Sequence, residues 1–428
     1  MNEKVNYLLF KVLIIFIFYD LILENSIFIK LMNVKYLCLI LLLSSALLKK
    51  VKLSSFKIFN IGFILFYIYH IIIGIFSISG FLQYGLPGFM VYKQYFLLPV
   101  CIYLFSNFTK LTKVKYEQLY LFLIKTAVIY VFINTFLYLF ELPIWTDYRP
   151  WWGRMTQGYP TIDVISLAYV LCALFLYKNI KISSTKRTFY SIIIILGLCI
   201  LASGTGFLLM TLIIMATIYV SLLGGKNVVN IKKNIGYTSM FMLIIAIATI
   251  SILELSKINS IDLFKVAENR ISIILGVDDN LGYNTLDMRA EQYDFVKKSF
   301  LKSPFDQIFG VGFGAVDYRS GYPIGRIYVE NQYGLNTVTS GIISNIFYIL
   351  AFILSFWRIF RIINLDLDIR ILGVLCPVIF SIASFTTVPI GSYSAVVSFS
   401  ILYSGLLSMV VDNLEYTKIK FKNDENRN

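Results

Sequence analysis

The chain has 428 residues, of which 58% are hydrophobic and 14% charged, too little polar surface for a soluble globule of this size. Its formal net charge of +14 does not point to nucleic acid, because the basic residues sit in short clusters between apolar runs, as cytoplasmic loops do under the positive-inside rule. The composition therefore excludes a soluble enzyme and a nucleic-acid partner, and makes the bilayer the solvent.

Apolar runs long enough to cross the roughly 30 Å hydrocarbon layer as helix recur from Tyr7 to Val411. The expected fold is an all-α polytopic membrane protein. Its spans lie near 7–23, 31–48, 58–79, 93–108, 119–140, 163–178, 188–203, 206–223, 235–254, 335–357, 371–388 and 392–411, about twelve in all. The first span has a charged head and an apolar middle, but no small-residue cleavage site follows Asp20, so it reads as a retained helix rather than a signal peptide. Basic clusters at Lys49–Lys57, Lys110–Lys115, Lys178–Arg187, Lys226–Lys233, Arg358–Arg370 and Lys418–Lys422 are each separated by two spans. All six can then be cytoplasmic at once, with both termini inside. The organisation that follows is residues 1–254 for spans one to nine with an extracytoplasmic loop at 141–162, a large extracytoplasmic loop at 255–334, spans ten to twelve at 335–412, and a cytoplasmic tail at 413–428.

Cys38, Cys101, Cys172, Cys199 and Cys376 all fall inside apolar spans without C-x-x-C spacing and read as small core residues. His70 is the single histidine, too little for a multi-histidine metal site or a Ser-His-Asp triad; it reads as a helix residue hydrogen-bonded inside the bundle.

Chemistry gathers in three extracytoplasmic segments. The turn from Gly80 to Gly88 leads to Lys93, which either snorkels to the interface or reaches an anion. The loop Trp145 to Pro160 carries Trp151, Trp152 and Tyr159, rings that either anchor it at headgroup depth or stack on sugar faces. Its Arg149 and Arg154, stiffened by Pro150 and Pro160, are either forks held ready for a diphosphate or partners of Asp147 or Asp163. The long polar stretch from Glu254 to Leu335 holds Arg270, Arg289, Arg319 and Arg326, arginines on the side where the charge bias disfavours them, and so candidate binders of phosphate or carboxylate. Within it, 287–301 has the spacing of an amphipathic helix lying on the membrane surface, which Pro304 is expected to end. The string Phe309-Gly310-Val311-Gly312-Phe313-Gly314 is expected to bring backbone close to a ligand; no Walker lysine follows it, so it is a poor nucleotide loop. Glu330 and Asn331 then set a carboxylate and an amide at the start of the tenth span, where either can cap the helix.

In order and topology these pieces resemble the superfamily of O-antigen ligases and Wzy-type polysaccharide polymerases. The pieces are Arg154-Met155-Thr156-Gln157-Gly158 with Pro160, Ser203-Gly204-Thr205-Gly206, Arg289, Pro304 with Gly310-Val311-Gly312-Phe313-Gly314, and Glu330-Asn331-Gln332-Tyr333 with Gly341, and the resemblance covers roughly 140 to 345. It implies a GT-C-like fold in a bacterial inner (plasma) membrane, with the active site facing the periplasm. The implied reaction is an inverting, metal-independent glycosyl transfer that needs no cofactor. A growing glycan leaves undecaprenyl diphosphate and joins the non-reducing end of a second undecaprenyl-diphosphate-linked repeat, making O-antigen or capsule. On that resemblance Arg154 and Arg289 stabilise the departing diphosphate, Glu330 takes the acceptor proton, and Arg149, Tyr159, Arg270, Arg319, Arg326, Asn331 and Tyr333 bind substrate. Asp287, Glu291 and Asp294 stay open as other bases. The partners it implies are the lipid-linked donor and acceptor, membrane lipid, and a chain-length regulator and flippase of the same pathway. Ligases of the superfamily carry histidine before the asparagine where this chain has Glu330, which favours polymerase over ligase. The competing class is a flippase of lipid-linked oligosaccharide, which should bury charge along a central cavity and show inverted repeats.

Overall fold

The structure is a computed structural model that describes residues 2–25, 32–49, 51, 61–76, 95–139, 160–177, 180–200, 204–223, 294, 297–298, 301–312, 331–360, 367–386, 389 and 392–406. Among these residues the regular elements are helical and no strand occurs. In chain order they are α1 (Glu3–Asn25), α2 (Met32–Leu48), α3 (Ile61–Phe76), α4 (Leu97–Ser106), α5 (Phe108–Thr112), α6 (Tyr116–Leu139), α7 (Pro160–Leu176), α8 (Ser184–Ile200), α9 (Gly204–Leu223), α10 (Pro304–Phe309), α11 (Gln332–Phe360) and α12 (Leu367–Thr386), followed by α13 (Tyr393–Leu406). Stretches of α6, α11 and α12 are long and apolar enough to cross a membrane, and six further helices are apolar but shorter. The expected span at 235–254 lies outside the described residues.

The molecule is apolar outside and partly polar within, which is the arrangement a bilayer selects. Outward stripes run along α3 (Ile61, Ile68, Ile71, Ile72) and along α11 (Ile342, Ile346, Ile349, Ile353, Trp357), all exposed. Serine, threonine, asparagine and glutamine side chains are meanwhile buried. With no hydrophobic drive between helices in lipid, close approach and interhelical hydrogen bonds hold them together. These are the helices of a membrane protein.

The innermost helix is α13, every residue of which is buried. Tyr393 Oη and Ser394 Oγ donate to Leu13 and Ile17 carbonyls of α1 at 3.0 and 2.7 Å. Ser398 Oγ donates to Ser166 Oγ of α7 at 3.0 Å, and Tyr403 Oη to Ser355 Oγ of α11 at 3.0 Å. Gly405 lets the Tyr120 hydroxyl of α6 lie against its backbone. Around this axis α7 packs on α8, α9 and α12, α1 on α2 and α6, and α11 on α3, α10 and α12.

The end of the bundle that carries Lys49, Lys110 and Lys113 also holds the start of α1: Asn6 Nδ2 donates to Ser45 Oγ at 3.0 Å and to the Leu111 carbonyl at 2.9 Å, and Lys49 Nζ to the same carbonyl at 3.3 Å. Glu3, Lys49, Val51, Lys110 and Lys113 line one open cavity there. Further round, the Arg187 guanidinium at the start of α8 donates to the carbonyls of Leu174, Tyr177 and Ile180 at 3.0, 3.4 and 3.1 Å. It thereby satisfies orphan groups at the C-terminus of α7, and burial pulls its pKa below the ordinary value.

Two expectations are refined, and one span ends as read. The expected span at 93–108 ends close to where it was placed: α4 stops at Asn107, whose Nδ2 turns back to the Tyr103 carbonyl at 2.9 Å, and the short α5 follows. The tenth span is broken at Gly341, which has φ 73° and ψ −176°. Pro304 also opens a further helix, because Ser303 and Asp306 form a capping box with the proline at the start of the helix, where a missing N–H costs nothing. Of the expected amphipathic helix at 287–301, only Asp294, Lys297 and Lys298 are described as helical, all exposed.

Candidate functional site

The N-terminal half of α11 is the one described element that carries predicted site residues. Asn331 precedes it, and its Oδ1 accepts from the Gly334 N–H at 2.6 Å, the N-cap interaction that satisfies one orphan donor. Tyr333 directs its hydroxyl to Ser381 Oγ of α12 at 3.0 Å and packs its ring on Phe385 and Tyr348, with centroids 4.5 and 5.7 Å away. Arg149, Arg154, Tyr159, Arg270, Arg289, Arg319, Arg326 and Glu330 lie outside the described residues, as do Asp287 and Glu291.

One turn further on lies a buried polar cluster. Gln332 Nε2 donates to Asn336 Oδ1 at 2.9 Å and to Tyr95 Oη at 3.2 Å, and Tyr95 Oη donates to the same Asn336 Oδ1 at 2.8 Å. Gln332 and Asn336 have no solvent exposure. Tyr95 stacks on His70 at 4.6 Å, and the Phe66 ring lies tilted against His70 at 4.0 Å. The Nδ1 of His70 lies 2.7 Å from the Phe66 carbonyl, which can only accept, so Nδ1 carries the proton. Its Nε2 is left to accept from Ser344 Oγ at 3.3 Å. The histidine is thus hydrogen-bonded inside the bundle, as read from the sequence.

The break at Gly341 is closed by the polar loop itself. Inside a helix the carbonyls of Val338 and Thr339 would accept from N–H groups four residues on. Here they accept instead from Val311 N at 2.8 Å and Gly312 N at 3.1 Å, and the Ser340 carbonyl accepts from Tyr69 Oη at 2.7 Å. Gly310 has φ 77° and ψ 178°, like Gly341 in a region open essentially to glycine alone. A Cβ on Gly341 would strike the Ile308 carbonyl, and one on Gly310 the backbone of Thr339 and Ser340. Asn345 spans the break, its Nδ2 donating to the Tyr333 carbonyl at 2.9 Å and to Thr337 Oγ1 at 2.8 Å. The glycine string therefore brings backbone close to a neighbour, and that neighbour is α11.

Chemically this region is a scaffold of neutral donors and acceptors. It fixes the height and rotation of the α11 start and ties the loop after α10 to the membrane helix. Sequence reading did not single out Tyr69, Tyr95, Gln332 as a network member, Asn336 or Asn345. A signal existed: Gln332, Asn336, Ser340 and Ser344 recur every four residues on one helix face. No protein-family model matches this chain, and no curated protein matches it in sequence.

Proposed function

We propose that this chain is a polysaccharide polymerase that joins lipid-linked repeat units at the extracytoplasmic face of a bacterial inner membrane. The observation that carries the reading is the anchoring of α11: the helix that begins right after Glu330-Asn331 is pinned at its start by the Tyr95–Gln332–Asn336 cluster and at its break by the loop backbone. A group preset in this way stabilises a transition state without reorganising during reaction. In the reaction the acceptor sugar hydroxyl attacks the anomeric carbon of the donor glycan. Its proton passes to Glu330, the bond from that carbon to the diphosphate oxygen breaks, and undecaprenyl diphosphate leaves with inversion. Arg154 and Arg289 neutralise the charge that builds on the leaving oxygens. Arg149, Tyr159, Arg270, Arg319, Arg326, Asn331 and Tyr333 hold the lipid diphosphate and the sugars. The arrangement of about twelve spans, with both termini cytoplasmic, belongs to this proposal, supported by the gathering of Lys49, Lys110, Lys113 and Arg187 at one end of the bundle.

A second reading, a flippase of lipid-linked oligosaccharide, draws on the same broken helix, since discontinuous spans line many transporter sites, and on Lys35, buried with its Nζ 5.0 Å from the Tyr393 ring centre. Purified protein in nanodiscs, given a lipid-diphosphate-linked oligosaccharide and a metal chelator, separates the two. A ladder of products on a gel is expected. Unchanged substrate from folded protein, together with translocation in proteoliposomes, would replace the polymerase by the flippase. Arg154→Lys and Arg289→Lys keep the charge but lose the bidentate fork, so each should shorten the ladder sharply at unchanged protein level. Glu330→Gln should abolish it; full-length product from all three variants would refute the assigned roles.

A further inference from the structure

We infer that α10 is a membrane-interface anchor, whose Phe305, Ile308 and Phe309 insert into the bilayer leaflet at the Gln332 end of the bundle. The three side chains stand at i, i+3 and i+4, on one face of the helix, and they are 66%, 43% and 36% exposed. The two phenylalanine rings pack against each other in a tilted arrangement, with centroids 4.7 Å apart. Three large apolar groups turned outward from a six-residue helix make little sense in water.

The opposite side of the segment is fixed to the protein. Leu301 is buried at 2% exposure, its carbonyl accepts from Gln307 Nε2 at 3.3 Å, and the bonds from Val311 and Gly312 to α11 follow directly. The outward face is thus presented at a defined place, beside Gly341, whose missing Cβ admits the Ile308 carbonyl.

That place is the margin of the lipid-facing belt. On α11 the exposed stripe starts at Ile342 and runs through Ile346, Ile349 and Ile353 to Trp357, whereas residues 332–341 are buried or half-buried. The fifteen residue steps from Ile342 to Trp357 rise roughly 22 Å. With Trp357, an interface-seeking ring, at one margin of a hydrocarbon layer roughly 30 Å thick, Ile342 falls within roughly 8 Å of the other. The exposed face of α10 continues the stripe at that level. Lys297, Lys298 and Lys302, all exposed, flank it as cations suited to lipid phosphates. Asp294 is also exposed, and Asp306 is engaged by Ser303 at 2.7 and 3.0 Å. An aromatic and aliphatic face bordered by lysine is the composition of an interfacial helix. The occupant is therefore the lipid of that leaflet.

Spin labels test this in the full-length protein, reconstituted in nanodiscs of phosphatidylethanolamine and phosphatidylglycerol. Labels are placed through Phe305→Cys and, independently, Ile308→Cys, with Ile346→Cys as the belt reference and Lys298→Cys as the aqueous reference. Collision with oxygen is compared with collision with a water-soluble nickel chelate. The expected ratio at 305 and 308 approaches that at 346 and stands several-fold above that at 298. A ratio equal to that at 298 would place the face in water, and protection from both quenchers would place it against protein; either overturns the inference. The readout does not involve glycan chemistry, so it stands or falls separately from the polymerase reading.

Discussion

Asn331 has two separable jobs in this account, and its side-chain chemistry tells them apart. As N-cap it accepts from Gly334 N–H, so Asn331→Ala should cost about 1 kcal/mol of stability, read as a lower thermal midpoint in detergent. Asn331→Asp keeps an acceptor at the positive end of the helix and should restore the midpoint. If product formation stays low in the aspartate variant, the amide also binds substrate; if it recovers fully, capping is its whole contribution. Gly341 is less forgiving. Both its dihedral angles and the nearby Ile308 carbonyl reject a side chain, and Gly341→Ala should cost at least about 2 kcal/mol, with loss of the α10 contact seen as faster proteolysis near residue 312. The glycine was visible in the sequence as one of the family-like pieces. Its positive φ was not, because hydropathy averages over a break that removes no apolar residue.

At the scale of elements, most apolar helices could be placed from run length: α1, α2, α3, α6, α7, α8, α9, α11 and α12 begin and end within a few residues of expectation. The details that run length leaves out share a cause. In α4 and α10 the decision rests on one polar side chain bonding locally, Asn107 to the Tyr103 carbonyl and Ser303 to the Asp306 N–H, and such bonds outweigh a window average. The Ser-Pro-x-Asp spelling of α10 was nevertheless readable as a helix start. Ser303→Ala removes one half of its capping box and should raise amide hydrogen exchange across 304–312 several-fold while the global midpoint hardly moves. A global midpoint falling in step would mean that α10 is integral to the bundle core. The candidate site divides in the same way. Asn331 and Tyr333 stand where the sequence put them, at the start of a membrane helix. The cluster that holds them was missed because Tyr95 is remote in the chain, and pairing across more than two hundred residues leaves no local trace.

For the whole molecule, the reversal of polarity matters more than any one contact: apolar residues face out and serine-rich α13 runs through the middle. Ser398 and Ser166 meet at 3.0 Å where α13 crosses α7, a crossing that admits small residues only. Ser398→Leu should separate these two buried helices, lower the thermal midpoint by several degrees and promote aggregation on extraction, whereas Ser398→Ala should be mild, losing about 1 kcal/mol at most. Equal effects from both substitutions would mean that the hydrogen bond, and not the close approach, holds the crossing. The sequence could not rank the helices by depth, since every span is apolar and centrality depends on which faces pair.

The central place of α13 also bears on how the protein is made. This helix follows α1 to α12 along the chain, so on the ribosome its seat must be formed before its occupant emerges. Until then Leu13 and Ile17 carbonyls of α1, Ser166 of α7 and Ser355 of α11 await their partners. A nascent chain arrested before Ser392 would hold an unfilled slot along its own axis, a feature that membrane quality-control proteases and insertion chaperones could recognise. Once α13 is seated that slot is filled, because among the described helices the one that arrives last is the one the others enclose.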